Sequence, residues 1–106
     1  MQNILSLASF KKQLEEHQRV ALLLFDSEDE SSRCAFRNVS EATYLSEAAP
    51  VFVVDIKEVP DIQSHYELTE IPTLLFFIKG KLVEQVKGCR ESDFVKDLIG
   101  HEFALQ

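Results

Sequence analysis

The chain reads as an α/β protein with a central mixed β-sheet flanked by helices on both faces. Three observations carry that expectation. Residues 20–25 (VALLLF), 51–56 (VFVVDI) and 74–79 (LLFFIK) are almost wholly apolar, and a strand apolar on both sides belongs inside a sheet covered on both faces. Between these runs lie segments with apolar residues at helical spacing, which act as crossovers between parallel strands. After the last run, Gly80-Lys81 separates it from residues 82–87 (LVEQVK), a link short enough for a hairpin.

The elements follow in order. Ile4 and Leu5 give a short first strand. Leu7, Phe10, Leu14 and His17 recur at intervals of three and four, the spacing of an amphipathic helix, and Ser6 or Ser9 can cap it by accepting an orphan amide bond. The apolar strand 20–25 comes next. A second helix spans about residues 32–48, with Cys34 or Ala35, Val39, Ala42 and Leu45 as its inner stripe. Pro50 punctuates its exit. The β-branched run 51–56 is the next strand. Residues 60–66 form a short helix with Ile62 and Tyr66 on one face, the hairpin follows, and residues 91–100 close the chain as a helix with Phe94, Val95, Leu98 and Ile99 inward. The order is β-α-β-α-β-α-β-β-α. Helical crossovers make the first strands parallel, and the hairpin adds an antiparallel edge. Residues 1–106 are read as a single domain.

Charge narrows the partners. The 106 residues hold 18 Asp plus Glu against 11 Lys plus Arg, a formal charge of -7. That balance disfavours nucleic acid and anionic membrane, both densely negative. No apolar run approaches the roughly 18 residues of a membrane-spanning helix. The first residues, MQNILSLASFKKQLEEHQ, show no basic leader ahead of a long apolar stretch, so a cytoplasmic location is expected. Asn38-Val39-Ser40 fits a glycosylation sequon, read here as chance. Three glycines leave little room for a phosphate loop, and His17, His65 and His101 are scattered and read as structural or solvated. No cofactor and no metal site is expected. The oligomeric state stays open.

The segment Glu70-Ile71-Pro72-Thr73 through Gly88 (EIPTLLFFIKGKLVEQVKG) resembles the thioredoxin family. It is similar to that family's cis-proline loop, fourth strand, glycine turn and fifth strand, with Gly88 at the glycine that lines the substrate groove. VFVVDI resembles the central strand, with Asp55 at a common acidic position, and VALLLF the strand that leads into the active site. The resemblance covers nearly the whole chain. It implies a thioredoxin-like fold, a cis Ile71-Pro72 bond, and a groove in which main-chain groups pair with an extended peptide.

The sequence departs from the family where its chemistry lies. Ungapped extension puts Glu30, Ser31, Ser32 and Arg33 on the family's Cys-Gly-Pro-Cys positions. Sliding by one residue gives Ser31-Ser32-Arg33-Cys34 and keeps only a second cysteine. Asp26 and Asp29 replace the tryptophans of the approach, and Leu24 replaces the buried proton-handling aspartate. Dithiol exchange needs one thiol to attack and another to resolve. The resemblance therefore implies a redox-inactive binding protein, an adaptor or chaperone-type module with a protein or peptide in its groove and no catalytic residue. One alternative is a monothiol redox or glutathione-linked protein acting through Cys34; another is a structural subunit of an assembly. Cys34 is read first as a small buried residue on the second helix and Cys89 as a loop or surface-strand cysteine. A Cys34–Cys89 bridge across the groove is left open, since sequence does not set the Cα separation it needs. The expected binding surface comprises Asp26, Glu28, Asp29, Glu30, Arg33, Ile71, Pro72, Thr73 and Gly88. The acids there have a plainer role too: they complement the dipole of the helix they precede, and Ser27 with Glu30 fits a capping box.

Overall fold

Apolar side chains cover both faces of the strand Arg19–Phe25, and this strand lies at the centre of the sheet in the computed structural model, which describes residues 1–45 and 49–102. In chain order the elements are β1 (Gln2–Asn3), α1 (Leu7–Glu16), β2 (Arg19–Phe25), α2 (Glu30–Leu45), β3 (Val51–Asp55), α3 (Pro60–His65), β4 (Thr73–Ile78), β5 (Lys81–Lys87) and α4 (Ser92–Asp97), followed by a π-helical turn over Leu98–Glu102. The sheet order is β1-β3-β2-β4-β5. β3 runs parallel to β1 and β2, whereas β4 is antiparallel to β2 and β5. The expected thioredoxin-like mixed sheet is present.

The two-residue period of a strand divides the core. Ala21 and Leu23 of β2, Val51 and Val53 of β3, and Leu74 and Phe76 of β4 face Ala35, Val39 and Ala42 of α2 with Val95 of α4. The alternate residues Val20, Leu22, Leu24, Phe52, Val54, Leu75 and Phe77 face Phe10 of α1 and Ile62 of α3. Burying apolar residues on both sides stabilises at about 25 cal/mol per Å² of area removed from water. Leu24 is fully buried among the second set.

Several elements sit differently from the sequence reading. β1 is Gln2–Asn3 rather than Ile4 and Leu5. Pairing with β3 ends at Asn3 opposite Val53, and only the Ile4 amide continues it, donating to the Val53 carbonyl at 2.8 Å. Ile4 is buried while Leu5 is 77% exposed. Ser6 and Ser9 both cap α1, each hydroxyl accepting from the other's amide. His17 is the exposed C-cap of α1, in keeping with its reading as structural or solvated. α2 begins at Glu30, two residues earlier than expected. Tyr66 caps α3, with its ring edge-on to Phe10 and Phe77, and burial raises its phenol pKa. Phe94 is 46% exposed rather than inward, under the Arg90 guanidinium at 5.4 Å from its ring centre. The side chains of Leu45 and His101 lie outside the described residues.

Candidate functional site

Register gathers four connections at one edge of the sheet. Phe25 at the end of β2 lies opposite Asp55 at the end of β3, and the Ile56 amide donates to the Phe25 carbonyl at 2.9 Å. Leu24 is opposite Thr73 at the start of β4, and Thr73 is opposite Lys87 at the end of β5. The loops carrying Asp26, Lys57, Ile71-Pro72 and Gly88 therefore meet, at the kind of edge where open α/β sheets carry their sites.

The Ile71-Pro72 bond is cis, as expected. The Gly88 amide donates to the Pro72 carbonyl at 2.9 Å, which brings these two expected site residues together. Gly88 has φ +81°, a left-handed conformation that favours glycine. Thr73 is buried, and its hydroxyl donates to the Glu70 carbonyl at 2.5 Å. Ile71 is half-buried, and its backbone N–H and C=O have no hydrogen-bond partner among the described residues.

The acidic stretch is a local network. Asp26 Oδ1 accepts the Glu28 amide at 2.9 Å and lies 3.6 Å from Lys57 Nζ. Glu28 also pairs with Lys57, and the hydrogen bond from that ammonium to Glu28, with lesser help from Asp26, raises the pKa of Lys57. Asp29 caps α2: its Oδ2 accepts the Ser32 amide at 2.9 Å, and its carbonyl accepts the Arg33 amide. This replaces the Ser27 and Glu30 box expected from the sequence. The reason is that the chain turns at Asp26, whose carbonyl accepts the Asp29 amide at 3.0 Å, so Glu28 and Asp29 stay outside the helix, which starts at Glu30. Ser32 is completely buried, and its hydroxyl accepts the Asp26 amide at 3.1 Å. Arg33 reaches back to the Ser27 carbonyl at 3.2 Å. Phe25, Ser27, Arg33 and Phe36 line a small hollow of about 340 Å³ here.

One turn further along α2 the chain is covalently tied. Cys34 and Cys89 form a disulfide with a Cα separation of 5.7 Å, ordinary for such a bond. Both residues are half-buried. Cys89 directly follows Gly88, so the bridge joins α2 to the loop bonded to the cis-proline carbonyl. Asn38, four residues after Cys34 and hence on the same helix face, completes the cluster. Its Nδ2 lies 3.3 Å from Cys89 Sγ, 3.9 Å from Cys34 Sγ and 2.9 Å from the Arg90 carbonyl. The sequence reading put Cys34 and Cys89 first in separate, bland roles, kept a reactive Cys34 and a bridge between the two as alternatives, and read Asn38 only as part of a sequon. The useful signals were the i, i+4 spacing of Cys34 and Asn38 and the place of Cys89 beside the groove glycine.

The family profile described as Thioredoxin matches residues 3–100. The chain belongs to the thioredoxin family. No curated protein sequence matches it. Among solved structures, Plasmodium falciparum thioredoxin is similar at 19% identity and a TM-score of 0.85, covering 93% of this chain and 96% of that one. Fasciola hepatica thioredoxin has 19% identity and a TM-score of 0.84 over the same shares. Mitochondrial thioredoxin 3 from Saccharomyces cerevisiae, in its oxidized form, has 15% identity and a TM-score of 0.82, covering 93% and 92%. These likenesses are of fold.

Membership of the thioredoxin family together with the Cys34–Cys89 disulfide corrects the expectation of a redox-inactive module. That expectation sought both thiols within one short stretch of α2, whereas folding brings the second from a loop 55 residues away. Of the readings weighed, the redox alternative built on Cys34 fits this member of the thioredoxin family better. Among the described residues no group of three or more His, Cys, Asp and Glu side chains could hold a metal ion, and no helix is long and apolar enough to cross a membrane.

Proposed function

We propose that this thioredoxin-family protein exchanges thiols and disulfides with protein substrates through the Cys34–Cys89 pair. The disulfide, half-buried and set beside the cis-proline loop, is the observation that carries the reading. In the reducing direction, one thiolate of the reduced pair attacks a sulfur of a substrate disulfide. A mixed disulfide forms and the first substrate thiolate leaves. The second cysteine then attacks the protein's own sulfur in that bond, the Cys34–Cys89 bond re-forms, and the second substrate thiolate leaves. Two electrons pass to the substrate, and a thiol reductant restores the pair. A cytoplasmic setting accords with a bridge that cycles, because disulfides in that compartment are usually catalytic or redox-sensing.

The substrate would lie as an extended segment along Ile71, Pro72, Thr73 and Gly88. Ile71 supplies an apolar contact and the unpaired backbone groups that strand addition uses. Asp26, Glu28, Asp29, Glu30 and Arg33 would form the rim, a net negative border that favours polar or basic partners.

A turnover assay on a protein disulfide substrate, with a thiol reductant, tests the reading. Cys34→Ser and Cys89→Ser should each abolish turnover. Ile71→Ser should raise KM for the protein substrate several-fold and leave exchange with glutathione, which is too small to span the groove, nearly unchanged. Turnover that survives loss of either cysteine, or a pair that stays reduced in oxidising glutathione buffer, would defeat the proposal.

A further inference from the structure

The amide of Asn38 distinguishes the two sulfurs, and this inference rests on the redox reading above. The Arg90 carbonyl can only accept, so the Asn38 nitrogen must lie on that side, and one of its hydrogens is committed there at 2.9 Å. The other faces the bridge, nearer Cys89 Sγ at 3.3 Å than Cys34 Sγ at 3.9 Å. A neutral disulfide sulfur is a weak acceptor and gains little from a donor. A thiolate is charged, and hydrogen bonds to charged groups are roughly twice as strong as neutral ones. The donor is thus worth most when the bridge opens, and worth most to Cys89.

We infer that Asn38 is a positioning residue that holds Cys89 as the leaving thiolate and so directs attack to Cys34. A substrate thiolate, its proton already lost to water, attacks Cys34 Sγ. The substrate–Cys34 bond forms as the Cys34–Cys89 bond breaks, and the electron pair comes to rest on Cys89 Sγ beside the Asn38 N–H. A second substrate thiolate attacks the substrate sulfur of the mixed disulfide, and Cys34 leaves as a thiolate. The substrate dithiol is oxidised to a disulfide and the Cys34–Cys89 pair is reduced, with two electrons transferred. The same contacts govern the reverse direction.

Position in the chain agrees with this division. Cys89 packs against the buried cluster beneath α2 and α4, where a thiolate without a donor would be costly. Asn38 is half-buried and bonded at its far side to Arg90, so its amide is already oriented before the bond opens.

Two measurements test the inference. In the first, the oxidised protein meets limiting glutathione, is quenched with a maleimide and is mapped by peptide mass. Glutathione should sit on Cys34 and the maleimide on Cys89, and Asn38→Ala should even out the distribution. In the second, Cys89 is alkylated across pH in a Cys34→Ser background. Loss of the amide in Asn38→Ala should move half-maximal alkylation to higher pH by about one unit, a tenfold fall in thiolate at a given pH. Asn38→Asp, which replaces the donor with a carboxylate, should move it further the same way. A packing role alone would leave this profile in place. Absence of any exchange between the oxidised protein and glutathione would overturn the redox reading itself. Exchange accompanied by an unmoved alkylation profile in both variants, or by glutathione on Cys89, would overturn the role of Asn38 alone.

Discussion

The first and second turns of α2 belong to one helix but are fastened by different physics. The first turn is held by its neighbours in sequence: Asp29 caps Ser32, Ser32 accepts from Asp26, and Asp26 accepts from Glu28. Lys57 reaches in from another strand end, and it is exposed. The second turn is held by one covalent bond to a residue 55 positions away and by an amide that touches both sulfurs and Arg90. Local hydrogen bonds shape where α2 begins. The long-range bond fixes where α2 sits against the loop that follows β5. In the family frame the chemistry belongs to the first turn; here the bridged sulfur of Cys34 lies in the second.

The largest effect expected from breaking this contrast is at the disulfide. Opening a bridge that closes a 55-residue loop should lower stability by up to about 4 kcal/mol through restored chain entropy. Urea melts of the oxidised and reduced protein should show it. Coincident melts would mean that α2 is anchored by packing alone. A smaller loss is expected in the first turn. Ser32→Ala should cost about 1–3 kcal/mol by leaving the Asp26 amide without its acceptor, and Asp29→Ala about 1 kcal/mol by uncapping the helix. The same melts would sharpen the comparison, which inverts if either exceeds the loss of the bridge.

The smallest effect belongs to Lys57. Its pKa is raised mainly by the hydrogen bond to Glu28, so the sign is that of a cation gaining partners. The contribution is full below the unfolded lysine value and is lost as pH rises through the folded one. Because the group is exposed, solvent and salt screen it. Lys57→Met should hardly shift the urea midpoint at neutral pH. Any difference from the parent should shrink further above the ordinary lysine value of about 10.4. A difference that grows in alkali would mean that another group titrates here.

Legibility followed the range of the interactions. The hairpin from Thr73 to Lys87 was readable because two strand-like runs and a short polar link lie close together in sequence, and cis Ile71-Pro72 and Gly88 were readable from the resemblance of residues 70–88 to the thioredoxin family. The strand Val51–Asp55 was readable for the same reason. The start of α2 was misplaced by two residues because several residues between Asp26 and Ser32 are good caps, and the choice of Asp29 depends on how the chain turns at Asp26. Phe94 was expected inward on helical spacing, but α4 ends after six residues, and the ring lies under Arg90 instead.

The sequence by itself determined the family, the alternation that sorts β2 between two cores, and the cluster of loops at one edge of the sheet. The family follows from the resemblance carried by residues 70–88, and the rest from period, apolar content and chain reversal, all local properties. Only the tertiary structure decided that Cys34 meets Cys89 and that Asn38 stands beside both. A disulfide requires Cα atoms about 4.4–6.8 Å apart, and no local pattern sets a distance across 55 residues. That distance is set by how α2 packs on the sheet and where β5 delivers Gly88.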